Sequence, residues 1–394
     1  MDGLALAEAS SAPRWHPTIT TDSEGKAMQK RTTKPQAAHP ETLSLCTTVA
    51  VDLAKQVFQI AGEEAHGELV YEKRLQSREA FSRFLYQIAK GATVLLETGP
   101  GAQAWARQVQ ALGCQVRLLP AQRVAEHRSG AKNDRNDAQA ILRAGRDTTI
   151  HAVPVKTVEA LAMQAAHRVR QGYIRRRTTL GNQIRGLLLE HGLAIPQGAA
   201  ALSDRVSRIL EDATLPLPDL LRELIADMQA EWQALEGRLL LLTKRLEQCA
   251  HADKTASRLM SVRGVGPIIA TALVAKQVEP ARFPNARQFA AYFGLVPDQH
   301  SSGQKVRLGK MSKRGDGYLR SLMVEGAHAV LRTLKADSEE VDDRRLNRWM
   351  QRHGRKGAAI RLANRNLRIV WVLLQSDARY CRNPSVQPGA TIAE

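Results

Sequence analysis

TTVAVDLAK (residues 47–55), QVFQIAGE (56–63) and GELVYEKRL (67–75) follow one another closely, with Lys, Gly and Glu turn material where they meet. Each run is short and β-rich, so the three read as a meander of strands. Downstream, Arg78 to Lys90 carries Phe81, Phe84, Leu85 and Ile88 at helical spacing. ATVLLETG (92–99) is a continuous apolar run, the signature of a central strand buried on both faces. A helix from about Ala102 to Leu112, the strand CQVRLL (114–119) and a helix opening near Asp134 extend the order to βββαβαβα. That order predicts an α/β domain over residues 46–154, a mixed sheet with helices packed on it.

Outward from this block the signals change. Residues 1–45 mix Ser, Thr, Pro, Ala and scattered charge without period and read as a disordered leader, with Met28 an alternative first residue. Beyond Val155 strand signals vanish. Two helical stretches, about Lys156 to His191 and Pro218 to Ala250, flank a link punctuated by Pro and Gly, so 155–254 reads as an antiparallel coiled-coil arm. In the second stretch Leu220, Leu221, Leu224, Met228, Trp232, Leu235, Leu239 and Leu242 recur at three- and four-residue steps. Such a seam serves either a dimer contact or the inside of a hairpin. Residues 255–335 read as a compact helical domain with a Gly-rich basic centre, and 336–394 as a basic C-terminal helix and tail.

Across 394 residues, 57 Lys and Arg stand against 39 Asp and Glu, a formal net charge of +18 that suits a polyanionic partner, nucleic acid first. Ten basic against three acidic residues fall within 261–320, and nine basic with no acidic within 344–368. An aromatic content of 4% argues against a platform of stacked single-stranded bases, which leaves phosphate contacts to dominate. Cys46, Cys114, Cys249 and Cys381 form no CxxC pair, so neither a zinc knuckle nor a disulfide framework is supported. No apolar run of about 20 residues is long enough to span a bilayer, and no secretory signal precedes the first domain. The expectation is a cytoplasmic, nucleoid-associated protein without membrane contact.

Four carboxylates stand where structure alone does not ask for them. Asp52 ends the apolar run TTVAVD, Glu97 ends ATVLLE, and Asp134 and Asp137 lie three apart in KNDRNDAQAIL (132–142), on one face of a first helical turn. Strand ends and a helix start converge at one edge of a sheet, the usual place for a site in such folds. Acids gathered this closely repel one another unless a hard cation neutralises them, and an all-oxygen set favours Mg²⁺ or Mn²⁺. Two such ions clamp the attacking and leaving oxygens of a phosphodiester displacement. Asp134 taken alone is equally a helix N-cap.

Two further segments bear on nucleic acid. SVRGVGPIIATALVA (261–275) reads as helix, turn, helix, with Arg263, Gly264 and Gly266 in a turn that offers backbone N–H groups to a phosphate. In FGLVPDQHSSGQKVRLGKMSKRGDGYLRSLM (293–323), Ser301 and Ser302 precede Gly303, and Lys305, Arg307, Lys310, Lys313 and Arg314 follow. A serine on a glycine-hinged loop amid cations can reach a phosphate, but its hydroxyl needs a metal or base to act as a nucleophile.

Together VAVDLAK, LLETGPGAQAWAR, KNDRNDAQAI, VRGVGPIIA and the serine segment resemble the DEDD transposases of bacterial insertion sequences, a family that includes Piv-type DNA invertases and bridge-RNA-guided recombinases. The likeness runs from about Thr47 to Leu331. It implies a RuvC-like N-terminal domain of RNase H fold, a coiled-coil arm, and a C-terminal transposase domain bearing a catalytic serine. By the same resemblance Asp52, Glu97, Asp134 and Asp137 are the metal-binding tetrad and Ser302 the nucleophile, with Ser301 the alternative if the loop register differs. The expected partners are donor and target DNA, a noncoding guide RNA, and further copies of the chain as a homodimer assembling to a tetramer. The competing reading is a Holliday-junction-resolvase-like nuclease in which metal-activated water attacks and the serine is incidental.

Overall fold

The computed structural model describes residues 40–129, 134–300 and 307–381, and the chain divides into two compact units between Ala152 and Val153. Of the expected leader, residues 1–39 lie outside the described residues. Pro40–Leu43 forms one helical turn, α1, beside the sheet, with Leu43 buried.

The first unit is built on strands β1 (Thr48–Leu53), β2 (Phe58–Glu63), β3 (Leu69–Leu75), β4 (Thr93–Glu97) and β5 (Gln115–Leu119) in the order β3-β2-β1-β4-β5. The meander β1-β2-β3 is antiparallel, whereas β4 lies parallel to both β1 and β5. The mixed sheet is thus the one the element order predicts. Strand alternation sorts its side chains. Val51 and Ile60 share a face with Phe58, which stacks on Phe81 at 4.3 Å and meets Trp105 edge-on. Phe81 and Trp105 belong to helices α2 (Arg78–Leu85) and α3 (Ala102–Ala111), which cover that side. On the other face Ala50, Ala61, Leu95 and Leu119 receive Ala138, Ile141 and Ala144 of helix α5 (Asp134–Arg146). The short helix α4 (Ala121–Glu126) leads from β5 towards α5.

The second unit is mostly helical. Helices α6 (Val158–Leu189) and α8 (Asp219–Ala252) lie antiparallel, as Arg170 bonding to Thr243 and Arg177 to Glu236 show. The link between them is not merely irregular: it holds helix α7 (Ala199–Glu211), whose Leu202, Val206 and Ile209 pack with Ile184, Leu188, Trp232 and Leu235. The seam on α8 therefore splits. Trp232, Leu235 and Leu239 are buried within the chain, while Leu220 and Leu224 are exposed. The first three are internal core, and a dimer contact through them is excluded by their burial.

The C-terminal part contains α9 (Lys254–Leu259), α10 (Pro267–Lys276), α11 (Ala286–Tyr292), α12 (Gly317–Arg332) and α13 (Val341–Leu374), around one apolar core. Gly354 breaks α13 into two helical runs. One element departs from the all-helical expectation. Strands β6 (Pro297–Gln299) and β7 (Leu308–Met311) pair antiparallel, although both are short and largely exposed. They carry no alternating apolar pattern from which a strand could be read. Among the described residues, no helix is long and apolar enough to cross a membrane.

Candidate active site

Three elements of the first unit bring four carboxylates near one another, close enough that the charges of Asp137, Glu97 and Asp134 all act on Asp52. The parallel register of β1 and β4 aligns Thr48 with Thr93 and Val51 with Leu96, a constant offset of 45 that sets Asp52 level with Glu97. Level residues on neighbouring strands point to the same side of the sheet. That side, continuing Ala50 and Leu95, is the one α5 covers. Asp134 and Asp137 occupy the first turn of α5, where the helix dipole favours negative charge. Asp137 shares the stripe of Ile141 and Ala144 and is itself buried, whereas the Asp134 side chain is 53% exposed.

The electrostatics follow from this convergence. The Asp52 carboxyl is pushed up to about 6, first by burial and then by the charges of Asp137, Glu97 and Asp134, with Arg128 pulling the other way. Arg128, just beyond α4, has its guanidinium between two of these acids: Nε lies 2.9 Å from Asp137 Oδ1 and an Nη 3.5 Å from Glu97 Oε2. The Asp137 contact lacks hydrogen-bond alignment, so this buried oxygen has no hydrogen-bond donor. Arg74 reaches Asp134 at 3.3 Å in the open. Among the described residues no three acids close around one point as ligands; Arg128 is threaded among them instead. The donor set nonetheless fits a hard divalent cation: all oxygen, mutually repelling, and with one buried oxygen lacking a donor. Arg128 escapes sequence reading because AEHRSG carries no motif, and its role emerges only once β4, α4 and α5 have folded together.

In the second unit the serine segment connects β6 to β7. Ser301, Ser302, Gly303 and Lys305 lie outside the described residues; the closing bond runs from His300 N to Arg307 O at 2.9 Å. Beyond β7 the backbone is tightly held. Lys313 adopts φ +54° and Gly315 φ +81°, and a side chain on Gly294 or Gly315 would collide with backbone of Arg314 or Tyr292 respectively. Asp316 caps α12 by accepting from Tyr318 N and Leu319 N, and it pairs with Lys276 at 2.7 Å. Lys310, Lys313 and Arg314 project from this braced segment into solvent. Nearby His167, buried between Tyr318 at 3.0 Å and Thr271 at 3.1 Å, has its pKa pushed down to about 4, chiefly by burial, and is neutral.

The turn between α9 and α10 is largely committed internally. Arg263 pairs with Asp343, and its carbonyl accepts from Asn366 Nδ2 at 2.9 Å. Gly264, at φ +92°, packs backbone to backbone against Gly326 of α12. Of the three turn residues only Gly266, opening α10 with Pro267 behind it, keeps the geometry of an open helix N-terminus.

Comparison with known proteins adds a second line. Residues 49–192 match a model of DEDD transposases of the IS110 type, and residues 256–342 match the model described as transposase IS116/IS110/IS902 family. The chain is 39% identical to a probable family 20 transposase of Pseudomonas aeruginosa over 84% of its own length and 98% of that protein's. It is 35% identical to the transposase for insertion sequence element IS1328 of Yersinia enterocolitica, covering 83% of this chain and 96% of the relative. With the transposase for IS1111A of Coxiella burnetii the identity is 33%, over 84% and 90%.

Proposed function

The chain belongs to the IS116/IS110/IS902 transposase family of insertion sequences, and on that premise we propose that it cuts and rejoins DNA through a phosphoserine, using an acid-bound divalent metal. The observation that carries this reading is Asp52 level with Glu97 on parallel strands, with Asp137 above them and its charge acting on Asp52. In this scheme the first unit is a RuvC-like domain of RNase H fold. Asp52, Glu97, Asp134 and Asp137 hold Mg²⁺ or Mn²⁺, which when bound stabilises charge developing on the phosphate oxygens.

Ser302, in the segment joining β6 to β7, supplies the nucleophile. Its Oγ loses a proton and bonds to phosphorus as the bond to the leaving strand oxygen breaks; that oxygen departs as a hydroxyl. In the second transfer a hydroxyl of the incoming strand displaces the serine, so the phosphoester bond is kept throughout and no nucleotide cofactor is spent. Lys310, Lys313 and Arg314 meet the DNA backbone. A guide RNA that pairs with donor and target DNA, and a dimer assembling to a tetramer, complete the proposal.

The test incubates end-labelled DNA carrying the element's end with protein and Mg²⁺, then looks for a covalent adduct. An adduct mapping to Ser302 and lost in Ser302→Ala is expected. An adduct unaffected by Ser302→Ala moves the nucleophile to Ser301 or elsewhere, and cleavage without any adduct makes the protein a water-using nuclease.

A further inference from the structure

We propose that Arg128 is the built-in counter-cation of the acid cluster: it occupies the space between Glu97 and Asp137, and a divalent ion binds there only by displacing it. The inference rests on the reading of these acids as metal ligands and goes one step past it, to what controls their occupancy.

The geometry points this way on three grounds. First, one guanidinium spans two acids from different elements, with Nε on Asp137 and an Nη on Glu97, so it sits among the carboxylates rather than on their rim. Second, its hold is electrostatic more than directional. The Asp137 oxygen it approaches at 2.9 Å is buried and has no aligned hydrogen bond, unlike a structural arginine such as Arg117, which donates to the Gly145 and Ile150 carbonyls. Third, it can leave. The Arg128 side chain is 35% exposed, and its residue follows the end of α4, tied to the helix by one bond from its N–H to Ala125 O.

An ordinary structural ion pair and a displaceable counter-cation predict opposite signs. Removing a structural pair loosens Glu97 and Asp137 and weakens metal binding. Removing a competitor deletes one positive charge from the place where a doubly charged ion must enter, and binding tightens.

The experiment is a titration of Mn²⁺ into the full-length chain at pH 8 and low salt, read by the electron paramagnetic resonance of free ion, with no DNA and no turnover required. Arg128→Gln and Arg128→Met are expected to bind on the order of tenfold more tightly than the unaltered chain, with Arg128→Lys close to it and Asp52→Asn losing the ion. The rise in melting temperature on adding Mn²⁺ should grow in the same order. Equal or weaker binding by both charge-free variants, with Asp52→Asn still losing the ion, overturns the counter-cation and leaves the metal site standing. If Asp52→Asn binds like the unaltered chain, the ion is held elsewhere and the metal-site reading falls with the proposal. Should one charge-free variant not fold, the other and the lysine variant decide.

Discussion

Asp52 and Glu97 are 45 positions apart in the chain and level with one another in the sheet, so the pairing of β1 with β4 rather than any local motif sets their spacing. Replacing either by its amide, Asp52→Asn or Glu97→Gln, keeps shape and removes the charge a cation needs. Strand transfer is expected to fall at least 100-fold while DNA binding by gel shift changes less than about twofold, since the acids do not meet base edges. Transfer at the unaltered rate in Mg²⁺ would take these residues out of the site.

The raised Asp52 pKa gives metal binding a pH signature. On the proposed reading Asp52 holds the cation only after losing its proton, so Mn²⁺ affinity should rise as pH passes through about 6 and level off above. Stability of the metal-free chain moves the other way. Because the folded pKa lies above the ordinary 3.8, the contribution from Asp52 is whole below that value and is lost as pH rises through about 6. Urea melts from pH 4 to 8, with chelator and with Mn²⁺, check both signs.

Lys310, Lys313 and Arg314 are exposed on a segment whose backbone is pinned against Tyr292 and Gly294. Replacing all three by Gln should lower the slope of log K against log salt by roughly 2 to 3, at about 0.9 for each phosphate no longer neutralised. An unchanged slope in a fluorescence-anisotropy titration removes this segment from the DNA interface.

Trp232 and Leu224 lie on the same helix and separate core from surface. Trp232→Ala should cost about 3–5 kcal/mol of folding stability, because it opens a cavity among Ile184, Leu202 and Leu235. Leu224→Ala, at an exposed position, should stay within about 0.5 kcal/mol. Denaturant titration of the two variants distinguishes them; equal losses would refute the placement of the seam.

The parts of this fold legible in sequence are those written in apolar period. The runs 47–55 and 92–99 announce central strands, and the acids that end them stand out because a buried strand has no other reason to finish on a charge. The spacing of Asp134 and Asp137 locates the helix start as well. What stays hidden is what periodicity does not encode. Pro297–Gln299 and Leu308–Met311 are short runs that pair through backbone bonds while most of their side chains are exposed, and α7 opens directly after Gly198 on an Ala-Ala-Ala run that reads as link. Arg263 stands out in sequence for its charge beside a glycine turn, but Asp343, 80 residues on, claims that charge. Arg128 is the converse case, a basic residue with no motif that acquires its meaning from Glu97 and Asp137.

Because the acids come from β1, β4 and the first turn of α5, no stretch of chain shorter than residues 52–137 contains them all, and α5 must dock on the sheet before they meet. A chain still emerging from the ribosome, or one clipped ahead of α5, carries Asp52 and Glu97 but lacks the lid of charge that α5 contributes. In the scheme proposed above, an acid cluster able to hold a metal therefore exists only after α5 has closed on the sheet, so the metal-binding half of the site is assembled in one step with the last layer of the first unit.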